Sequence, residues 1–307
     1  WVVMSYDVMV IGGSFAGLPA ALELARARRR VLVLDSGEPR NRFAQFAHGL
    51  FGHDGEPPSV LLAKAREQLL SYGTVSFKEG LATHAARTGE EFSVTVAGGA
   101  VHTASRLIVA NGVRDELAPI PGMQERWGIS VLHCFYCHGY EVAGQRLGVL
   151  ATSDRALQTA ILLPDWSEHV TLFTNGTLSL NSDQLAELQT RGVSVETEPV
   201  VALVGEPPAL SGLRLDDGRI IPVDAVFTNP RTRMASSIAE QLGCEFDEGP
   251  SGAFIRTGAD KQTTVWGVYA AGDAARPGHN ASWAAADGVT AGISAHQSLS
   301  LPQPVCR

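Results

Sequence analysis

The chain has 307 residues, enough for two domains of about 150 residues each and for a core that needs no disulfide or metal staples. Apolar residues make up 45% and charged residues 18%, which excludes a disordered chain. The net charge of -8, from 24 Lys and Arg against 32 Asp and Glu, excludes the basic surface that nucleic acid or anionic lipid would need, so neither nucleic acid nor membrane is an expected partner.

No apolar run reaches about 18 residues and no secretory leader pattern opens the chain, so a soluble cytoplasmic protein is expected. Trp1 to Val3 precede Met4, which reads as the native start, and these three residues carry no functional weight. The 32 glycines point to many tight turns and close backbone approaches.

The first predicted strand is Tyr6 to Ile11, a short β-branched apolar run. It enters Gly12-Gly13-Ser14-Phe15-Ala16-Gly17, and an alanine-rich helix follows over Leu18 to Arg29. Arg26 and Arg28 to Arg30 fall at the end of that helix, where positive charge complements the dipole. A second strand, Val31 to Leu34, ends in Asp35, 23 residues after Gly12. A pyrophosphate sits well on the N-terminal end of such a helix, glycines let the backbone approach it, and an acid after the second strand takes ribose hydroxyls. Ser14 occupies the middle glycine of the strict motif.

Leu107 to Val109 forms a strand that ends in Ala110-Asn111-Gly112, and Ile120-Pro121-Gly122 is a turn. His133-Cys134-Phe135-Tyr136-Cys137-His138-Gly139-Tyr140-Glu141 comes next. In a reducing compartment a C-x-x-C pair means redox or metal chemistry; Cys244 and Cys306 are lone residues 62 apart, so redox is expected and a metal is not. A neighbouring imidazolium can stabilise a thiolate, and His138, titrating near neutrality, can take a proton from an incoming thiol. His133 is either a second acid/base or a hydrogen-bonded packing residue. Late in the chain, a strand in Val265 to Ala271 delivers Gly272-Asp273, and a small-residue helix runs from Ala281 to Leu299.

Taken in order, these segments resemble the low-molecular-weight thioredoxin reductase family over nearly the whole chain. The resemblance implies an α/β fold of two doubly wound, Rossmann-like three-layer domains. An FAD domain over 4–115 and 246–307 would be interrupted by a central, NAD(P)-domain-like insert over 119–242 that carries the C-x-x-C, and the protein would be a homodimer. FAD would take its pyrophosphate contacts from Gly12, Gly13, Ser14, Phe15, Ala16 and Gly17, and its adenosine ribose contact from Asp35. Ser36, Arg40 and Asn41 would reach the ribose and flavin side, with His48 near the same loop. Ala110, Asn111 and Gly112 stand at the family's A-T-G-like strand end, and Gly272 and Asp273 would serve the ribityl hydroxyls. Asn280 and Ala281 stand where the family has R-Q-A; the Asn280 amide and the helix end would face flavin N1 and the C2 carbonyl.

The family's aspartate after the second cysteine is His138 here. The string C-x-x-C-H-G-Y-E resembles the branch containing dithiol oxidases of gliotoxin and holomycin type. The resemblance implies that Cys137 faces the flavin, Cys134 exchanges with substrate and His138 is the acid/base.

The central domain departs from the family at its own nucleotide turn. After Leu147 to Leu150 the chain reads Ala151-Thr152-Ser153-Asp154-Arg155-Ala156, replacing both key glycines and adding a carboxylate where phosphates would lie. After Val170 to Phe173, Thr174-Asn175-Gly176 stands where the family has its basic H-R-R cluster for the 2'-phosphate. NADPH is therefore not expected. The reading is an FAD-dependent oxidase of a small, natural-product-like dithiol, with electrons passing through the cysteine pair and FAD to O2 to give H2O2. Two alternatives stand beside it: a disulfide reductase acting on thioredoxin or another protein disulfide, fed by NADPH or ferredoxin, and a flavin-binding regulatory module without turnover. Phe135, Tyr136 and Trp283 either line an apolar pocket or belong to the core.

Overall fold

A computed structural model describes residues 5–301. Met4 and Cys306 lie outside the described residues. Two compact units form: one takes the chain up to Arg42, Ser59–Arg114 and the part from Thr232 onward, and the other takes Phe43–Pro58 and Asp115–Arg231. The chain returns to the first unit at Thr232, where the sequence suggested 246. Residues 43–58 group with the second unit instead of the first.

The first unit is built on a seven-stranded sheet in the order Val75–Glu79, Val31–Asp35, Tyr6–Ile11, Val101–Val109, Glu91–Val96, Ala82–Thr88, with Val268–Ala270 pairing Val101–Val109. The central strands are parallel, with Val8 opposite Val31 and Tyr269 opposite Ile108. Val8 to Ile11 and Val31 to Leu34 are buried along their whole length, as continuous apolar runs covered on both faces should be.

The first helix spans Gly17–Arg26. It stops short of the expected Arg29 because Arg28 takes a left-handed conformation, φ 62, which turns the chain back toward the second strand. The last helix, Ala281–Ser300, crosses the first at very short range: a Cβ on Gly288 would lie 2.0 Å from the Ala16 carbonyl oxygen. That crossing explains the small-residue composition of both helices.

In the second unit a five-stranded parallel sheet runs in the order Ser194–Glu196, Val170–Phe173, Leu147–Leu150, Ala225–Thr228, Val131–Leu132. A three-stranded antiparallel sheet of Val200–Val204, Gly212–Leu215 and Ile220–Ile221 joins it. Arg126, 2% exposed, ties this unit together by donating to the carbonyls of Gly122, Gly205 and Ala209. Among the described residues no helix is long and apolar enough to cross a membrane.

Candidate active site

In the first unit, the interior strand Tyr6–Ile11 delivers the glycine turn to the carboxyl-terminal end of the sheet. Gly12 holds φ 108, and a Cβ there would lie 2.2 Å from the Ala110 carbonyl oxygen, so only glycine fits. A Cβ on Gly17 would lie 1.7 Å from the Gly12 carbonyl oxygen, which closes the turn tightly onto the helix N-terminus. The backbone N–H of Gly13 donates to Asp35 Oδ1 at 3.0 Å, fixing that carboxylate at the end of its strand. Ala110, Asn111 and Gly112 follow the neighbouring strand, which ends at Val109. Asn111 Nδ2 donates to the Gly112 carbonyl, while its Oδ1 is buried without a hydrogen-bond partner. A buried orphan acceptor of this kind is a place for a ligand donor.

The late Gly272-Asp273 opens a short helical turn directly after strand Val268–Ala270. Asp273 Oδ2 accepts from Arg40 Nη1 at 2.8 Å, both side chains being largely buried, so two residues predicted separately to touch the cofactor meet each other. Asn280 caps the last helix, its Oδ1 accepting from the N–H groups of Ser282 and Trp283. Its carbonyl oxygen is thereby engaged, and the amide NH2 is the part left to offer a ligand. Ala281 is the first residue of that helix. Ser36 is exposed at the rim beside Asp35, Phe15 packs against the helix-side core, and Asn41 lies in a short helical turn over Arg40–Phe43. Helix N-terminus, glycine turn, strand-end acid and orphan amide together fit the pyrophosphate, ribose and flavin of FAD.

The redox pair lies in the second unit. Cys134, in extended conformation, caps a short helix over Phe135–His138, and its sulfur is disulfide-bonded to Cys137 with the Cα atoms 5.2 Å apart. Trp166 packs against the edges of both Phe135 and Tyr136, with ring centroids 5.3 and 5.5 Å away. Phe135 is partly buried in the core and Tyr136 is 73% exposed, so the aromatic pair divides between packing and surface. In the first unit Trp283 is exposed, with the Arg276 guanidinium 4.9 Å from its ring centroid. The ring of His133 stacks on Trp127 with centroids 5.6 Å apart.

Burial pushes the His138 imidazole below its ordinary pKa; the Glu141 carboxylate works against that shift and His48 adds to it. His138 is therefore neutral at pH 7 and ready to accept a proton. His48, predicted near the flavin, stands in this same unit with Nδ1 3.4 Å from Glu141 Oε1. Glu141 and Trp166 carried no assigned role in the sequence; Glu141 was visible in the C-x-x-C-H-G-Y-E string, whereas Trp166 left no local signal.

The second unit's nucleotide turn keeps the backbone plan and changes the chemistry. Ala151 is fully buried. Thr152 Oγ1 donates to the Asn229 carbonyl at 2.9 Å and lies 3.3 Å from Thr228 Oγ1, and Thr159 Oγ1 donates to Asn229 Oδ1 at 3.3 Å. These hydrogen bonds tie the ends of the two neighbouring strands and the following helix together. In the following turn Asn175 Oδ1 accepts from the Val200 N–H. The adjacent strand ends in Glu196, whose carboxyl is held below its usual range by Arg219. Arg155, exposed at the first position of the helix Arg155–Leu162, places a cation beside this turn. Among the described residues no group of three or more His, Cys, Asp or Glu side chains is arranged to hold a metal ion.

Paired Rossmann-type units with a C-x-x-C disulfide define a flavin-dependent disulfide oxidoreductase of thioredoxin reductase type. Residues 6–288 match the pyridine nucleotide-disulphide oxidoreductase family, and the chain belongs to it. Thioredoxin reductase tcpT of Claviceps purpurea (strain 20.1) is 32% identical over 277 residues, covering 87% of this chain and 86% of the relative. The crystal structure of an oxidoreductase from Agrobacterium tumefaciens superposes with a TM-score of 0.93 at 47% identity, over 98% of this chain and 100% of that one. The crystal structure of HlmI gives 0.90 at 41% identity, over 96% and 92%. Family, fold class and FAD as the family's cofactor agree with what the motifs implied.

Proposed function

We propose that this enzyme is an FAD-dependent dithiol oxidase that closes a disulfide in a small, natural-product-like dithiol, with O2 as acceptor and H2O2 as second product. The observation that carries the reading is the turn of the second unit, where Ser153 and the buried Ala151 stand in place of the family's two glycines and Thr152, Thr159, Thr228 and Asn229 are hydrogen-bonded to one another beside it. It argues against NADPH as the electron donor and so for electrons arriving from thiols.

His138, neutral and beside Cys137, takes the proton of the first substrate thiol. The thiolate attacks the sulfur of Cys134, forming a mixed disulfide and releasing Cys137 as a thiolate. The second substrate thiol passes its proton to the Cys137 thiolate, and its sulfur attacks the substrate sulfur of the mixed disulfide, breaking the bond to Cys134 and releasing Cys134 as a thiolate. The substrate leaves as a disulfide, and both cysteines are reduced. When bound, FAD supplies the two-electron acceptor that regenerates the cysteine disulfide and passes the pair to O2. Gly12 to Gly17, Asp35, Arg40, Asp273 and Asn280 bind and orient it. Under air, dithiothreitol should give one H2O2 per disulfide formed; disulfide formation without peroxide would refute the oxygen-linked reading.

A second reading, an NADPH-fed reductase of thioredoxin or a similar disulfide, is favoured by the intact parallel sheet of the second unit and by Arg155 in the first turn of its helix.

A further inference from the structure

Asn280, Trp283 and Asp287 follow one another at spacings of three and four, so they share one face of the last helix. Asp287 is 6% exposed, and two cations converge on its carboxylate: Lys261 Nζ lies 2.8 Å from Oδ1 and Arg276 Nη1 lies 3.6 Å from Oδ2. Oδ2 has no hydrogen-bond partner, so it meets Arg276 as an ion. A carboxylate buried this deeply needs such pairing. Its two partners come from either side of the segment that carries Asp273. Ahead of that segment the Ala270 N–H donates to the Lys261 carbonyl at 3.0 Å, and Lys261 holds φ 64, a conformation lysine rarely takes. Behind it, Arg276 closes the short helical turn Gly272–Ala275. The chain then folds over Trp283: the Arg276 guanidinium lies 4.9 Å from the ring centroid, and a Cβ on Gly278 would lie 3.2 Å from the same ring. The turn itself is wedged in place, since a Cβ on Gly272 would lie 2.8 Å from the Ala16 Cβ and 3.4 Å from that of Ala284.

We propose that Lys261, Arg276, Asp287 and the Trp283 ring form a clasp that sets the Asp273 carboxylate against the Asn280 end of the last helix, which makes Arg276 and Asp287 positioning residues for the cofactor. Neither needs to touch FAD. The proposal rests on the reading that Asp273 and Asn280 hold FAD, and it stands whether electrons enter from thiols or from NADPH. Loosening the clasp lets two groups that must act on one cofactor drift apart, and affinity built on preorganisation falls although no contact to the cofactor is deleted.

Two readouts on the full-length protein test it: the FAD dissociation constant, from the fluorescence of flavin released as the holoenzyme is diluted, and the urea midpoint of the same chain stripped of flavin. Arg276→Gln raises the dissociation constant about three- to tenfold, the range a partly buried cation–π contact spans, and leaves the urea midpoint where it was. Arg276→Lys, which keeps a cation for Asp287, recovers part of the loss. Asp287→Asn raises the constant at least as far, and the double variant no further than Asp287→Asn alone, because both cut one clasp. If Asp287→Asn does not fold, its Lys261 ammonium being left without a counter-ion, the two Arg276 variants decide. A dissociation constant unmoved in Arg276→Gln, or one that moves only together with the flavin-free urea midpoint, would overturn the proposal. A parent protein that neither carries nor takes up FAD would refute the cofactor assignment itself, and the clasp with it.

Discussion

Two turns of the same design separate in chemistry. In the first unit Ile11 passes through Gly12 to Gly17 into a helix, and in the second Leu150 passes through Ala151 to Asp154 into another. The first turn has backbone where side chains cannot fit, a carboxylate aligned by the Gly13 N–H, and an unpartnered Asn111 acceptor nearby. The second has Ala151 and Ser153 in that place, and beside them the Thr152 and Thr159 hydroxyls donate to the Asn229 carbonyl and Oδ1. On the function proposed above, a strand–turn–helix plan does not suffice for dinucleotide binding, and glycine at the helix N-terminus is what the first turn has and the second lacks.

The sharpest way to break the comparison is to give the first turn a side chain. Gly17→Ala sets a methyl group against the Gly12 carbonyl, at a cost of about 3 kcal/mol or more by the scale of overpacked cores, and should yield protein without flavin. Retention of full flavin content and thermal stability would show that the turn is not the cofactor cradle.

Smaller but still large is the effect of His138. Its pKa is depressed by burial, so the neutral base persists to lower pH than an ordinary imidazole, and thiol-driven flavin reduction should hold up to more acid pH than an unperturbed histidine would allow. His138→Gln should lower that rate by about 100-fold and flatten its rise with pH. The same shift sets the sign for stability. The unfolded chain binds this proton more tightly than the folded one, so the His138 contribution is full above about pH 6.5 and is lost as pH falls toward the folded value. A thermal melt across pH 5 to 8 in parent and variant checks this; equal slopes would contradict it.

The smallest effect sharpens the contrast at the second turn. Ser153 Oγ is buried without a hydrogen-bond partner, so Ser153→Ala should be neutral or stabilising, by at most about 1 kcal/mol, in a urea titration. A loss beyond that would mean the hydroxyl has a role.

The first turn was legible in the sequence because backbone sterics leave only glycine at Gly12 and Gly17, and a steric demand is written locally. The redox pair was legible for the same reason, since C-x-x-C spacing alone brings the two sulfurs together. What stayed hidden depends on long-range partners. Nothing in the spacing of Arg40 and Asp273 shows that they pair, nor that residues 43–58 bring His48 to Glu141 instead of leaving it with the first unit. The early end of the first helix was hidden because its left-handed residue is Arg28, where glycine or asparagine would have announced the stop. Trp166, whose ring meets Phe135, Tyr136 and the Gly139 turn, gave no sign because a lone tryptophan reads as core.

The central claim is that electrons enter from thiols and not from NADPH. Anaerobic titration of the purified flavoprotein, followed at the flavin absorption band, tests it directly, with NADPH in one cuvette and dithiothreitol in the other. Bleaching by dithiothreitol alone, reversed with peroxide formation when air is admitted, is the predicted result; rapid bleaching by NADPH would contradict it.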